Sequence, residues 1–522
     1  MSRFVSILCT SVFIFFPQCF ASKILCVFPT PIHSHFIFAS GLIRGLVENG
    51  HEVTVLSSFN LDIPVKTYRH IKVATGATID QRDAMEKFLT EGWSYFGTLR
   101  LLIDSVRQSL QAANATLHTE EFQMIAEESY DLILLEMFFN NFLIGLGDHF
   151  HCPVITISSV PPTEIVNEIS GNPSTVAIVP HFLLGNVNGM TFFNRLLNYF
   201  FVTVEKIIWK VIDWREGVYY EANFPSSRYK SFEKMKKNIS LFFVNDHFSI
   251  SSPRPYVPAV VPVAGINIKQ QPDPLPQKIQ EFIDNAEQGV IYFSLGSIMK
   301  STFLPPRILD TILNVFSKLK QKVVFKWEDD QLPNHPDNVL IEKWLPQSDI
   351  LAQKKVKLFI CHGGMGAMNE AKYNSIPVIG IPFFADQRSN LITAQQEGWA
   401  IVLDLYTLTE ESLLTTINQV LYDHKYRNTV QHISKVFKDR PMTALDTALY
   451  WTEYVIRHKG AAHLQSRASH LNWMQKISLD VLIFYFVLMV LAFKGTIFVY
   501  LKMKNIKIKL RITKVTEKSK SL

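Results

Sequence analysis

A chain of 522 residues with 48% apolar content has material for two hydrophobic cores, so two globular domains with attachments are expected. The net charge of +6 does not belong to the body: eight basic residues after Leu501 stand against one acid, Glu517, so the tail carries +7 and the rest sums to about −1. That balance excludes a nucleic-acid-binding body.

At the start, Arg3, the apolar run 4–16 and the small residue Ala21 have the layout of a secretory signal peptide, so residues 1–21 are expected to be cut away. The apolar core is shorter than the ~20 residues that span a bilayer. Next come a buried strand at 23–29, a helical face over 36–48 and a strand at 52–56, the repeating unit of a parallel sheet. The unit returns with a strand at 131–135, a helical stretch to 150 and a strand at 153–157. Residues 80–128 read as polar and helical, and 161–185, rich in Pro, Ser, Gly and Asn, as loops. Segment 192–214 holds Phe, Leu, Trp and Val with few charges. It reads either as a buried helix or as a helix lying on a membrane, and its lack of a strongly charged face favours the first.

The Pro-dense stretch 253–276 reads as a linker between a first domain, 22–252, and a second, 277–457. Strands are expected in the second domain at 290–293, 323–327, 339–341, 358–361, 377–381 and 401–403, alternating with helices. The fold class is therefore α/β, two doubly wound Rossmann-like domains facing a cleft where strand ends meet loops. A juxtamembrane piece, 458–476, leads to a transmembrane helix at 477–501, with Asp480 at its edge and Lys494 inside. The basic tail, 502–522, is then cytosolic and the body lumenal. Lys518 and Lys520 resemble a dilysine signal for the endoplasmic reticulum. Sequons at Asn114 and Asn238 agree with a lumenal, glycosylated body. Outside the signal, Cys26, Cys152 and Cys361 each lie in or beside apolar runs, so buried free thiols are expected; none has a partner at metal-ligand spacing.

The stretch LFICHGGMGAMNEA (358–371) is a strand, a Gly-Gly turn and a helix, which places backbone N–H groups and a positive helix end at the cleft. His362 can add a side-chain donor, and Glu370 a carboxylate suited to ribose hydroxyls. No GxGxxG or Walker motif is present, which disfavours a nicotinamide dinucleotide fold. Asp386-Gln387 follows the next strand, where Asp taken alone reads as a helix cap.

Together, Trp344-Leu-Pro-Gln347, His362-Gly-Gly364, Glu370-Ala, Pro377, Gly380-Ile-Pro382, Phe384-Ala-Asp386-Gln387 and Asn390 resemble the signature of the UDP-glycosyltransferases, of the membrane-bound UDP-glucuronosyltransferase type. SHF at 34–36, GHEVTVL at 50–56, FSLGS at 293–297 and RHKGAAHL at 457–464 extend the resemblance along the chain. It implies a GT-B architecture and an inverting hexosyl transfer, glucuronosyl or glucosyl, from a UDP-sugar to small lipophilic acceptors. The implied donor site has Trp344 stacking on uracil, Gln347 holding the base, and Ser297, His362 and the Gly363 and Gly364 amides on the diphosphate. Glu370 would take the ribose, Asp386 and Gln387 the sugar hydroxyls, and Arg254 a further donor contact. The implied base is His35, in the loop after the first strand, with His33 as the alternative from spacing alone. Its implied partner is Glu136, where the family usually has aspartate; Asp148 and Asp131 are the weaker alternatives. At 365 and 366 the family often has Ser-Asn, whereas this chain has Met365 and Gly366, so phosphate binding there rests on backbone. No cofactor or metal is expected, because the acidic cluster Glu328-Asp-Asp330 reads as a solvated turn. The implied partners are the UDP-sugar, the acceptor and the membrane through one span, with homo-oligomer formation left open. A catalytically silent binder of UDP-sugars or lipophiles is the alternative function.

Overall fold

A computed structural model of the chain describes residues 21–73, 89, 95–185, 189–249, 251–332 and 334–520. The expected signal peptide lies outside the described residues except for Ala21. The chain divides into two compact units, one running to Ser466 and the other Arg467–Leu522.

The first unit contains two parallel sheets. One comprises β1 (Lys23–Phe28), β2 (Glu52–Ser57), β3 (Tyr68–Lys72), β4 (Leu132–Glu136), β5 (Val154–Ser158), β6 (Ile239–Val244) and β7 (Val260–Pro262), in the order β3-β2-β1-β4-β5-β6-β7. The other comprises β8 (Val290–Ser294), β9 (Lys322–Lys326), β10 (Val339–Glu342), β11 (Val356–Cys361), β12 (Val378–Gly380) and β13 (Ala400–Val402), in the order β10-β9-β8-β11-β12-β13. The runs LILLE in β4, ISLFFV in β6 and VIYFS in β8 are buried at every residue. Helices cover both faces of each sheet, so apolar residues run continuously instead of alternating. Chain direction across the sheet reverses between β1 and β4, and again between β8 and β11, so the loops after these strands diverge and open a crevice.

The helices used below are α1 (His33–Glu48), α2 (Tyr95–Leu117), α3 (Phe192–Asn223), α4 (Met365–Tyr373), α5 (Gln387–Glu397) and α6 (Ala444–Arg457). Six strands of the second sheet fall where the sequence pattern puts them. The first sheet differs: β3, β6 and β7 are not in the sequence reading, and a short helix, Glu164–Ser170, interrupts the expected loops. The Pro-dense stretch supplies β7, which pairs with β6 as an edge strand, where Pro262 has no inner ladder bond to lose. The chain also returns: α6 buries Ala448, Leu449 and Val455 against α1 and the first sheet. Gly45 in α1 leaves that room, since a Cβ there would lie 2.8 Å from Leu445. Periodicity shows that 444–457 has an apolar face but not which sheet it covers.

Cys26, Cys152 and Cys361 are free and buried, as their apolar settings suggest. Burial pushes the Cys152 and Cys361 thiols up to about 12, and the Cys26 thiol further. The second unit holds α7, one helix of 42 residues, Leu479–Lys520, whose stretch Leu479–Lys514 is long and apolar enough to cross a membrane. The helix continues through the basic residues that the sequence pattern separates from the span.

Candidate active site

A cavity of about 950 Å³ in the first unit is lined from both sheets. His35 reaches it from the segment after β1. That segment is already helical: His35 sits in the first turn of α1, not in a loop as expected, because α1 begins at His33. Glu136 ends β4, the strand beside β1 at the reversal of order, and the His35 Nδ1 lies 2.9 Å from Glu136 Oε1. The longer side chain therefore does close the pair. The second carboxylate oxygen accepts from Asn140 Nδ2 at 3.4 Å, and Asn140 also donates to Thr30 Oγ1 at 3.2 Å. Phe138 packs edge-on against the His35 ring, with centroids 4.4 Å apart. With Nδ1 committed to Glu136, Nε2 is the nitrogen left for chemistry. The alternatives are occupied elsewhere: Asp148 pairs with Lys230 and Asp131 accepts from the Lys23 amide. His33 stacks between Phe59 and Trp344 at 4.5 and 4.7 Å, and has no carboxylate partner among the described residues.

The second sheet supplies the opposite wall. Ser297 follows β8 and His362 follows β11, the two strands at the reversal. Gly296 and Gly364 make room for the imidazole: a Cβ on either would lie 2.6 or 2.4 Å from it. His362 Nδ1 is buried with no hydrogen-bond partner. Burial, assisted by the Lys326 charge, pushes His362 down to about 4, so the ring is neutral at pH 7. Gly364, Met365, Gly366 and Ala367, at the start of α4, line the cavity, and no side chain caps that helix end. A neutral N–H donor beside uncapped amides at a positive helix end is a site built for an anion. Gly363 is not among the lining residues; its place is in the turn, at φ +85°, against Leu391.

Glu370, on α4, is buried. Its carboxylate accepts from Gln347 Nε2 at 2.6 Å and from Asn267 Nδ2 at 3.3 Å, and burial raises it to about 7. Trp344 is 52% exposed at the rim, a large aromatic face available for stacking. Asp386 stands at the N-cap position of α5 yet makes no capping bond; it accepts from Asn390 Nδ2 at 2.7 Å. Burial raises its pKa, offset in part by Asn390 and by the nearby His35. Gln387 spends its carbonyl oxygen on the amides of Phe383 and Phe384, which leaves only its NH₂ for a ligand. Arg254 lines the cavity 3.3 Å from the buried Asp246 carboxylate.

One charged lining residue that the sequence reading passed over stands out. Lys326, ending β9, is 7% exposed; it donates to Gly296 O and Glu328 and sits 5.6 Å from the Trp344 ring centre. Glu328 is thus a part-buried partner that also accepts from the Ser301 amide, not part of a solvated turn; only Asp329 and Asp330 of the cluster are exposed. A charged residue closing an apolar strand was the available signal. Phe139 and Ala385, also on the lining, have φ of 54°, costly for residues with side chains; such strain gathers where loops are held for function. Among the described residues no three His, Cys, Asp or Glu side chains gather to hold a metal. Of the sequons, Asn238 is exposed ahead of β6, while Asn114 lies within α2 and accepts from Asn223 at 2.9 Å; Thr116 and Ser240 are both buried.

A family model described as "UDP-glucoronosyl and UDP-glucosyl transferase" matches residues 22–517. The chain belongs to that family. It is 35% identical to UDP-glycosyltransferase UGT5 of Dactylopius coccus over 478 residues, 90% of each chain. It is 30% identical to UDP-glucuronosyltransferase 2B15 of Homo sapiens over 501 residues, 91% of this chain and 93% of that one. The fold matches the solved glycosyltransferase of kitacinnamycin, with a TM-score of 0.54 at 17% identity, covering 83% of this chain and 99% of that one. It also matches the calicheamicin glycosyltransferase CalG4, with a TM-score of 0.51 at 16% identity over 84% and 99%. The two-sheet arrangement is thus the GT-B architecture, and this UDP-glycosyltransferase carries its cavity where the two halves face each other.

Proposed function

We propose that the protein transfers a hexosyl group from a UDP-sugar to a hydroxyl or other nucleophile of small lipophilic acceptors, with inversion and with His35 as general base. The observation that carries this reading is the His35 to Glu136 bond opening onto the same cavity as His362, Glu370 and Asp386. Neutral His35 takes the acceptor proton on Nε2, and Glu136 holds the Nδ1–H and stabilises the imidazolium. The acceptor oxygen bonds to the anomeric carbon from the face opposite UDP, and the electron pair of the breaking C–O bond leaves with the diphosphate. His362 and the amides at the start of α4 receive that charge without reorganising. Trp344 and Gln347 hold the base, Glu370 the ribose, and Asp386 with the Gln387 NH₂ the sugar. The apolar walls, including Phe138, Phe139 and Trp209, suit a lipophilic acceptor. No metal is assigned a part.

The donor is a UDP-hexose, glucuronate or glucose. One relative, in Dactylopius coccus, is named UDP-glucosyltransferase 2, whereas others are named UDP-glucuronosyltransferases. A glucuronate carboxylate needs a cation; of Arg388 and Arg254, the first is exposed and off the lining and the second is on it, so Arg254 is the one suited to it. Competition between the two donors, with Arg254→Lys as comparison, decides the sugar. The second reading, a silent binder, prevails if the purified full chain binds UDP but releases none from any UDP-sugar with a broad acceptor panel.

For location, α7 and its basic end support a single-pass protein of the endoplasmic reticulum, body lumenal and tail cytosolic. Asn238, not Asn114, is the sequon expected to carry glycan. Endoglycosidase should shift the Asn114→Gln variant and leave Asn238→Gln unshifted. Protease added to sealed microsomes should remove the tail alone, and digestion of the body would reverse the topology.

A further inference from the structure

The sequence favours a buried helix at 192–214, and α3 is buried on one side only: Asn198, Val202 and Ile212 are buried, while Phe193 and Trp214 are exposed. Its inward side closes the apolar part of the cavity, where a wall of rings leads away from the base. Phe138 lies 4.4 Å from the His35 ring, Phe139 4.3 Å from Phe138, and Trp209 of α3 5.1 Å from Phe139, centre to centre. The wall ends on charge. Trp209 Nε1 donates to Glu205 Oε1 at 3.1 Å, and the same oxygen accepts from the Glu164 amide at 2.9 Å. Glu205 Oε2 faces His181, whose side chain is 4% exposed, and both residues line the cavity. His181 Nδ1 accepts from the Leu183 amide at 3.2 Å, so the ring proton of the neutral form sits on Nε2. That nitrogen is 3.0 Å from Glu205 Oε2 but out of line with it, and makes no hydrogen bond among the described residues. A buried donor and a part-buried acceptor thus stand side by side, both unspent, at the far end of an apolar wall.

We infer that His181 and Glu205 select acceptors that carry a second hydroxyl at the end remote from the one that reacts. The inference rests on the transfer reading above and narrows its substrate class to elongated apolar molecules, aromatic or polycyclic, with a hydroxyl at each end. A hydroxyl both accepts and donates, so one oxygen takes the His181 Nε2–H and donates to Glu205 Oε2. An ether satisfies only the histidine, and a methyl neither. A methyl placed there would leave both groups dry and unpaired, which is how a polar pocket rejects an analogue lacking its hydroxyl. The fold does not need the pair for its own packing. Asn198 of α3 holds the preceding loop, accepting from the His181 amide at 2.6 Å and donating to the carbonyls of Val176 and Val179 at 2.7 and 2.8 Å. Glu205 anchors through Oε1 alone, which leaves Oε2 to a ligand.

The test offers the full chain matched phenols of two lengths, phenylphenols and hydroxystilbenes, whose remote para group is hydroxyl, methoxyl or methyl, with UDP-glucose and with UDP-glucuronate. At the length that fits, the hydroxyl compound should exceed the methyl one about tenfold in kcat/KM, with the methoxyl compound between them. Two equivalent hydroxyls alone supply only a factor of about two, by statistics. His181→Asn keeps an oxygen where Nδ1 accepts from Leu183 but has no Nε2, and should cut the preference to about that factor. Glu205→Gln turns the free acceptor into a second donor, and should bring the methoxyl compound level with the hydroxyl one. Each preference is a ratio within one variant, so a partly folded sample does not imitate it. Equal kcat/KM for the three compounds at both lengths overturns the inference. So does a His181→Asn variant that lowers all three alike, which makes the pair structural. Should no compound react with either donor, the transfer reading falls, and equilibrium dialysis of the same compounds decides the site by itself. There, a wild type that binds the hydroxyl compound no more tightly than the methyl one overturns it.

Discussion

Two histidines stand one in each half, each beyond a strand where the sheet order reverses, and their surroundings differ. His35 has a carboxylate on its Nδ1, through Glu136 at 2.9 Å. His362 has no partner on its Nδ1, two glycines around its ring and the Lys326 ammonium nearby, and burial pushes it down to about 4. A carboxylate stabilises an imidazolium and suits a base; a cation and a dry pocket forbid one and leave a neutral donor. The fold places both rings by the same rule, and the neighbours assign the chemistry.

The largest test of this contrast is His35→Ala, expected to lower kcat by ~10³-fold or more while UDP affinity stays. Steady-state turnover and calorimetry of UDP binding read the two separately. Wild-type turnover in the variant would remove His35 from its role. His362→Gln comes next: it keeps an N–H but loses the ring, and kcat/KM should fall by about 10²-fold. Its pH profile between 5 and 8 should keep the wild-type shape, since the ring does not titrate there. A displaced acid limb would show that His362 is the titrating group and break the contrast.

How much of this was legible in the sequence differs between the halves for a physical reason. The second sheet and its residues follow from short-range pattern: HGG, the following helix, WLPQ and ADQ each carry their own turn and strand signals. The bond from His35 to Glu136 joins residues 101 apart, and only the pairing of β1 with β4 brings them together. The likeness to a family pointed to the partner, and the geometry of a glutamate there could not be read from one chain. Lys326, Asn267 and Asn140 carry no local motif and become visible only when burial and partners are known. The return of α6 onto the first sheet is invisible for the same reason.

Two buried carboxyls extend the contrast. Glu216 in the first half accepts from the Asn141 backbone and side chain, Glu370 in the second from Gln347 and Asn267, and burial raises each to about 7. A raised carboxyl pKa favours the fold fully below the unfolded value near 4.5, and that contribution is lost as pH rises through about 7. Both Glu216→Gln and Glu370→Gln should therefore shrink the drop in thermal stability between acid and mildly basic pH. Only Glu370 lines the cavity. Ribose hydroxyls donating to its carboxylate favour the ionised form, so UDP affinity should rise about tenfold from roughly pH 6 to 8. Glu370→Gln should flatten that rise and Glu216→Gln should preserve it; equal behaviour of the two would place the ribose elsewhere.

The smallest effect concerns the anion site at the start of α4. Gly366 is exposed on the lining, and a Cβ there would meet nothing within 4 Å. The missing side chain is therefore not excluded by sterics; the backbone serves alone because nothing else is present. Gly366→Asn adds a donor beside the amides and should lower the donor KM about fivefold without changing kcat, since one hydrogen bond nets roughly 1 kcal/mol. Gly366→Ala separates this from helix propensity: it should raise the melting temperature, as alanine in a helix gains up to ~1 kcal/mol over glycine, and leave the KM alone. If Asn and Ala act alike on the KM, the diphosphate does not lie over this turn, and the burden shifts to His362 and the Gly364 amide.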